Sequence, residues 1–315
     1  MILTVCPNTA LDKVLFIEKW VHGHPMRTNK AVTSVGGKGL NSSVVLSQLG
    51  VKTIALGFFE GKIGQELLDL LEDYGVITDP VWVGGKNRIA YVIAEEETNI
   101  HSHIIVGELK IDFNQSRELV KKFSERIKDT DIVIFAGTLP QTLNDDFYCE
   151  MITMAKEAGI ITLIDSQKQY IREALKAKPD IVKMNWEEFG WTFTYQVNSI
   201  EQLIDSAREF KKTYEIDNLI ITMGQDGILA LTDQGEYLAK APIQKSINAA
   251  GAGDSVSAVV AWRLVEGDDW ESILLWSSAV SAASVLTMRT GDIHMEDVDR
   301  IMRDVEIQEI VPSIL

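Results

Sequence analysis

From about residue 115, apolar and polar positions along the chain switch between two periods. Short β-rich runs at 131–136, 160–165, 180–184 and 218–222 are closed by Gly, Asn, Asp or Ser. Between them, residues 146–157 and 200–214 carry apolar side chains at helical spacing. Repeated strand–helix units of this kind predict an α/β fold with a mainly parallel sheet. In such sheets ligands gather at strand C-terminal ends, where Gly137, Asp165, Asn185 and Gly224 fall.

The first hundred residues follow a different pattern. Lys13 to Trp20, Arg27 to Val35, Arg88 to Glu96 and Ile100 to Val106 are extended segments, the last two joined by a hairpin at Glu97-Thr98-Asn99. Interrupting them, Gly39 to Leu49 is predicted helical, Thr53 to Gly57 a strand and Gly64 to Tyr74 helical, so the main sheet also begins here. A small sheet set into an α/β body predicts a lid over the site, with strands in about 13–35 and 88–107 of one domain spanning 1–315. Lid strands with one apolar face would be exposed in a monomer, which predicts a homodimer packed lid against lid.

Composition narrows the function. A chain of 315 residues that is 46% hydrophobic can bury a full core. Its formal net charge of −16 argues against nucleic acid or an anionic membrane as partner. An anionic ligand must therefore meet locally placed cations. Cys6 and Cys149 are the only cysteines, no basic leader opens the sequence, and no apolar run reaches membrane-spanning length. These features lead to the expectation of a cytoplasmic protein.

The most informative stretch is Gly251-Ala252-Gly253-Asp254, followed by the small and apolar run Ser255 to Ala261. Two glycines before a buried helix let successive N–H groups approach an anion. A carboxylate there repels an anion unless it has another task, such as taking a proton from an attacking hydroxyl. Gly36-Gly37-Lys38-Gly39-Leu40-Asn41 also precedes a helix, and its Lys38 and Asn41 offer donors to hydroxyl or phosphate oxygens. Gly57 to Ile63 is one residue short of a P-loop and lacks its Ser or Thr, so a Walker-type nucleotide site is absent. Asn185 and Glu188 stand about one helical turn apart and read either as an N-terminal capping box or as oxygens for Mg²⁺ and its waters. By themselves, Asp12 reads as a turn cap, Arg88 as a solvated residue, and His101 with His103 as surface histidines without companion metal ligands.

In order along the chain, Gly36-Gly37-Lys38-Gly39-Leu40-Asn41, Asn185-Trp186-Glu187-Glu188, Ile221 to Gly227 and Gly251-Ala252-Gly253-Asp254 resemble the ribokinase-like (PfkB) carbohydrate kinases. The start Asn8 to Asp12, Lys38 between glycines, Asn87-Arg88-Ile89 and Ala136 to Pro140 are similar to the hexose-phosphate branch, the fructose-1-phosphate and tagatose-6-phosphate kinases. The resemblance implies a three-layer α/β sandwich with a β-sheet lid. It implies MgATP as donor, Asp254 as general base, and the amides of Gly251, Ala252 and Gly253 around the transferring phosphoryl group. Asp12, Gly37, Asn41 and Thr138 match sugar-side positions, and Lys38, Arg88 and Arg27 match positions facing a phosphate already on the substrate. Lys183, Asn185, Thr222, Gly224 and Gly227 fall to the nucleotide, and Asn185 with Glu188 to Mg²⁺. Asn248-Ala249-Ala250 departs from the pattern, because a Thr is usual at the position of Ala249. Two other activities fit these residues: phosphorylation of a free sugar or nucleoside, and catalytically silent sensing of a sugar phosphate. A dinucleotide dehydrogenase fits less well, since no Gly-x-Gly-x-x-Gly follows the first strand.

Overall fold

A computed structural model describes residues 1–98 and 100–310. The chain opens with β1 (Ile2–Cys6), β2 (Ala10–Ile17) and β3 (Ala31–Gly36), then α1 (Lys38–Gln48), β4 (Thr53–Phe59) and α2 (Gly61–Asp73). β5 (Ile77–Trp82), β6 (Gly84–Glu95) and β7 (His101–Lys110) lead into α3 (Phe113–Arg126). The regular middle follows as β8 (Ile132–Ala136), α4 (Phe147–Glu157), β9 (Ile161–Asp165), α5 (Lys168–Ala174), β10 (Ile181–Asn185), α6 (Trp186–Phe193), α7 (Ile200–Tyr214) and β11 (Asn218–Thr222). It closes with β12 (Ile228–Leu231), β13 (Glu236–Lys240), α8 (Ala252–Glu266), α9 (Trp270–Ser284), α10 (Met295–Met302) and β14 (Glu306–Glu309).

Ten strands form the main sheet in the order β14-β13-β12-β11-β10-β9-β8-β1-β4-β5. It is parallel from β11 to β5 and antiparallel at the β12–β14 end. Alternate residues of each strand point to opposite faces. Leu3 and Val5 of β1 and Ile54, Leu56 and Phe58 of β4 therefore join one core with α3–α7. Ile2, Ile132 and Ile134 join the other with α1 and α8–α10, and Cys6, Ala55 and Phe59 pack on the same side against α1 and α2. The result is the three-layer sandwich. The chain leaves β1 toward β4 on one side and resumes at β8 on the other, so the β1/β8 boundary is the point where strand order reverses. Just beyond it, Asn8 Nδ2 donates to Thr138 Oγ1 at 3.0 Å.

A separate four-stranded sheet, β3-β2-β6-β7, is the lid. Its own apolar cluster is small: Val14, Phe16, Val92 and Ala94, with Val32 against them. The strands differ from the sequence expectation at their ends. β3 begins at Ala31 because the Thr28 hydroxyl donates to Phe16 O and accepts from Lys30 N, a side-chain turn that takes the place of a ladder. Arg27 therefore lies in an exposed loop. β7 runs past residue 107 to Lys110, and the expected hairpin residue Asn99 lies outside the described residues.

The alternating pattern had given no warning of β5, which carries Pro80 and forms the sheet edge, where a missing N–H breaks no ladder. Among the described residues, no helix is long and apolar enough to cross a membrane.

Candidate active site

Strand ends and helix starts converge at the C-terminal edge of the parallel strands. α1 begins almost on top of β1: a Cβ at Gly39 would lie 2.8 Å from the Cys6 Cβ, so only glycine permits the approach. That approach carries Lys38 across to Asp165 at the end of β9, with Nζ 2.7 Å from Oδ1 and 2.9 Å from Glu188 Oε1. Lys183 of β10 takes the other Asp165 oxygen at 2.7 Å, and the Ser257 hydroxyl donates to the same atom at 2.9 Å. Burial alone would lift the Asp165 carboxyl, but the two ammonium groups outweigh it and hold the acid at about 2. For Lys38 burial works the other way, and Asp165, Glu188 and Asp254 overcome it, so this lysine stays charged. The result is a buried anion holding two cations in the floor of the site.

Asp254 sits in the first turn of α8, whose N-cap Gly251 adopts a left-handed conformation with no side-chain cap. First-turn N–H groups of a helix lack intrahelical acceptors, which suits them to an anion. Gly253 fits tightly, since a Cβ there would approach Lys183 Nζ to 2.9 Å. Asp254 Oδ2 accepts from Asn41 Nδ2 at 2.8 Å, while Asn41 Oδ1 is buried with no partner among the described residues. Burial, with the Asp165 charge adding to it and Lys183, Lys38 and Asn41 opposing, lifts the Asp254 carboxyl to about 6. A carboxyl so tuned can accept a proton near neutrality.

Next to it, Asp12 of β2 lies against the bare Cα of Gly36 and accepts from Thr290 Oγ1 at 3.1 Å. Burial and the charge of Asp254 raise its acid to about 7, against the Thr290 hydrogen bond and Arg88. Arg88 of β6 is part-buried beside the same end of β2, opposite Ala10, with Nη1 donating to Asn8 O at 3.1 Å. Burial lowers its affinity for a proton, and Cys6 and Asp12 oppose that.

A cleft of about 530 Å³ extends from this cluster. Lys38, Lys183, Asn185, Ala252, Gly253 and Asp254 line one end, and Thr222, Gly224 and Gly227 lie along its wall. The cleft then passes between Ala241–Gln244 and α9. Asn185 and Glu188 form a complete capping box: Asn185 Oδ1 accepts from Glu188 N at 2.7 Å and Glu188 Oε2 from Asn185 N at 3.1 Å. Among the described residues no group of three His, Cys, Asp or Glu could cage a metal. This donor set suits a divalent cation held mostly by ligand phosphates and water, with protein oxygens touching its waters.

Most residues singled out in the sequence are thus brought together. Arg27 is the exception: it lies in the exposed loop between β2 and β3 and forms no ion pair among the described residues. Asp165 was placed at a strand end where ligands gather but given no role, and Thr290 and His101 were missed as site residues. Asp165 had a signal, a lone acid closing an apolar strand; Thr290 had none, since only folding brings it to Asp12. His101, read as a surface residue, instead forms part of the cleft wall, because the far end of the lid overhangs it.

The profile of the pfkB family carbohydrate kinases matches residues 9–297. The chain is 28% identical to a tagatose-6-phosphate kinase of Staphylococcus epidermidis, covering 98% of this chain and 100% of that protein. It is also 28% identical to a 1-phosphofructokinase of Haemophilus influenzae, over 98% of each. A crystal structure from Thermotoga maritima described as a possible 1-phosphofructokinase superposes with a TM-score of 0.89 at 20% identity, covering 98% of this chain and 99% of that one, a likeness of fold.

Proposed function

The chain belongs to the pfkB family of carbohydrate kinases, and on that premise we propose that it transfers the γ-phosphoryl group of ATP to a hydroxyl of a ketohexose monophosphate, giving the bisphosphate. Fructose 1-phosphate and tagatose 6-phosphate are the acceptors suggested by the named relatives. One observation carries the reading: a buried carboxyl with its proton affinity raised to about 6 sits in the first turn of a helix whose N–H groups line the same cleft.

In this reading Asp254 accepts the acceptor's hydroxyl proton as the sugar oxygen bonds to the γ-phosphorus and ADP departs. The amides of Gly251, Ala252 and Gly253 receive the charge on the transferring group, which costs no reorganisation because the helix already fixes them. Lys38 and Lys183, locked by Asp165, add positive charge at the same end. Asp12 and the free Asn41 Oδ1 accept sugar hydroxyls, with Gly37 and Thr138 bounding the sugar. Arg88, with Lys38, meets the phosphate already present, which a chain this acidic must recognise with dedicated cations. Thr222, Gly224 and Gly227 follow the nucleotide. Asn185 and Glu188 would hold Mg²⁺ through its waters, and that ion supplies charge neutralisation on the donor phosphates.

The lid supports a homodimer. Ile104, Ile105 and Val106 of β7 are about half exposed, and consecutive residues on a strand expose both faces to water. Sedimentation tests this directly, a lone chain at working concentration counting against it.

The function is tested by ADP release with fructose 1-phosphate, tagatose 6-phosphate, fructose 6-phosphate, free fructose and a nucleoside. Turnover confined to the phosphorylated ketohexoses supports the reading. Preference for a free sugar or nucleoside transfers the assignment to those acceptors, and binding without ADP release makes the protein a sensor.

A further inference from the structure

Thr290, in the turn that joins α9 to α10, meets two parts of the site at once. Its hydroxyl donates to Asp12 Oδ2 at 3.1 Å and its N–H to Ser34 Oγ at 3.3 Å. Its methyl lies against the N-cap of α8, since a Cβ at Gly251 would stand 2.8 Å from Thr290 Cγ2. Thr290 can hold Asp12 only as firmly as the turn itself is held. Within the turn, the Thr287 hydroxyl lies 3.0 Å from Arg289 O and 3.3 Å from Asp292 O, which braces it to shift as a unit.

Side chains from elsewhere anchor that unit. Asn248 Nδ2 donates to Met288 O at 3.1 Å, and the Tyr74 hydroxyl donates to Asp292 Oδ1. The strongest anchor flanks Thr290 directly: Gln48 Nε2 donates to Gly291 O at 2.9 Å and Gln48 Oε1 accepts from Ile293 N at 3.1 Å. An amide that gives one bond and takes another fixes orientation as well as position. Gln48 also ends α1, the helix that begins with Lys38 and carries Asn41, so the clamp ties the turn to the same rigid element as two other site residues. We propose that Gln48 is a positioning residue for the acceptor sugar: it clamps the turn so that Thr290 holds Asp12 in the orientation that meets the sugar hydroxyls. This rests on the kinase reading, in which Asp12 accepts those hydroxyls.

Steady-state ADP release, varying acceptor and ATP separately, tests the clamp. Gln48→Met keeps the bulk and loses both bonds; its acceptor KM should rise about 3- to 10-fold, the range of one net hydrogen bond, with the ATP KM unchanged. Thr290→Val removes the hydroxyl, keeps the methyl against Gly251, and should raise acceptor KM about tenfold. In the double variant the Gln48 change should add less than about twofold, because its route to Asp12 is already cut. Lys211→Met is the structural control: it loses the bond to Thr232 O, 2.7 Å long, at the opposite edge of the sheet, and should lower stability without moving either KM. If Gln48→Met does not fold, Gln48→Asn replaces it, keeping the amide but one carbon too short to reach both partners. An acceptor KM indifferent to Gln48, an equal rise in both KM values, fully multiplicative effects in the double variant, or the same acceptor shift from Lys211→Met overturns the proposal while leaving the kinase reading intact. No ADP release from the unaltered protein with any acceptor defeats the kinase reading and this inference with it.

Discussion

Replacing Asp254 by Asn should make the protein inactive and more stable at once. Burial is the largest influence on this carboxyl, and its acid rises from an ordinary 3.8 to about 6. That rise corresponds to about 3 kcal/mol against the ionised form. The sign follows from a folded value above the unfolded one: the cost is absent below 3.8, grows between 3.8 and about 6, and is fully present above. An asparagine is nearly isosteric, can still accept from the Asn41 amide and carries no charge. Asp254→Asn should therefore gain up to about 3 kcal/mol over the natural chain at pH 8, and the gain should close toward pH 4. Urea unfolding at several pH values measures it. Loss of the base should cut turnover about 10²- to 10⁴-fold, and turnover of the natural chain should rise as pH increases through about 6. A variant with full turnover, or a stability gap that ignores pH, would refute the assignment of this carboxyl.

Three further outcomes follow from the geometry. Arg88→Ala should raise KM for phosphorylated acceptors at least about tenfold more than for free sugars, as expected when a charged hydrogen bond to a phosphate is lost; equal losses in steady-state assays would remove Arg88 from phosphate recognition. Gly36→Ala places a Cβ 2.0 Å from Asp12 Oδ1, so the carboxylate must swing away. Acceptor KM should rise about tenfold or more with donor KM held, on the scale of one charged hydrogen bond, and an unchanged acceptor KM would show that Asp12 does not face the acceptor. Lys183→Met leaves the buried Asp165 with one cation in place of two and should cost about 3–5 kcal/mol in urea unfolding; an unmoved midpoint would mean that the pair contributes nothing.

The central sheet could be read from the sequence because β8 to β11 are buried on both faces and therefore show as continuous apolar runs separated by helical periods. β5 and β12–β14 could not, since they lie at the sheet ends, where mixed polarity or short length blurs the period. Within the site, Asp254, Lys38 and Asn41 stood out because glycines and helix starts marked them. The contacts that organise them are long-range and leave no local trace. Nothing in the neighbourhood of Asp165 announces two lysines, and nothing near residue 290 announces Asp12. His101 was misread for a related reason: alternation along a strand tells which face a residue takes, but not what the end of the sheet hangs over.

Two hydrogen bonds in the site span most of the chain, Asn41 to Asp254 across 213 positions and Asp12 to Thr290 across 278. On the proposed mechanism, a ribosome that has released only the first two-thirds of the polypeptide has exposed Asp12, Lys38 and Asn41 without Asp254. That mechanism expects nascent and prematurely terminated products to be inert, unable to consume nucleotide. Because contacts so distant in sequence close late, the appearance of activity during refolding should mark the last event of assembly.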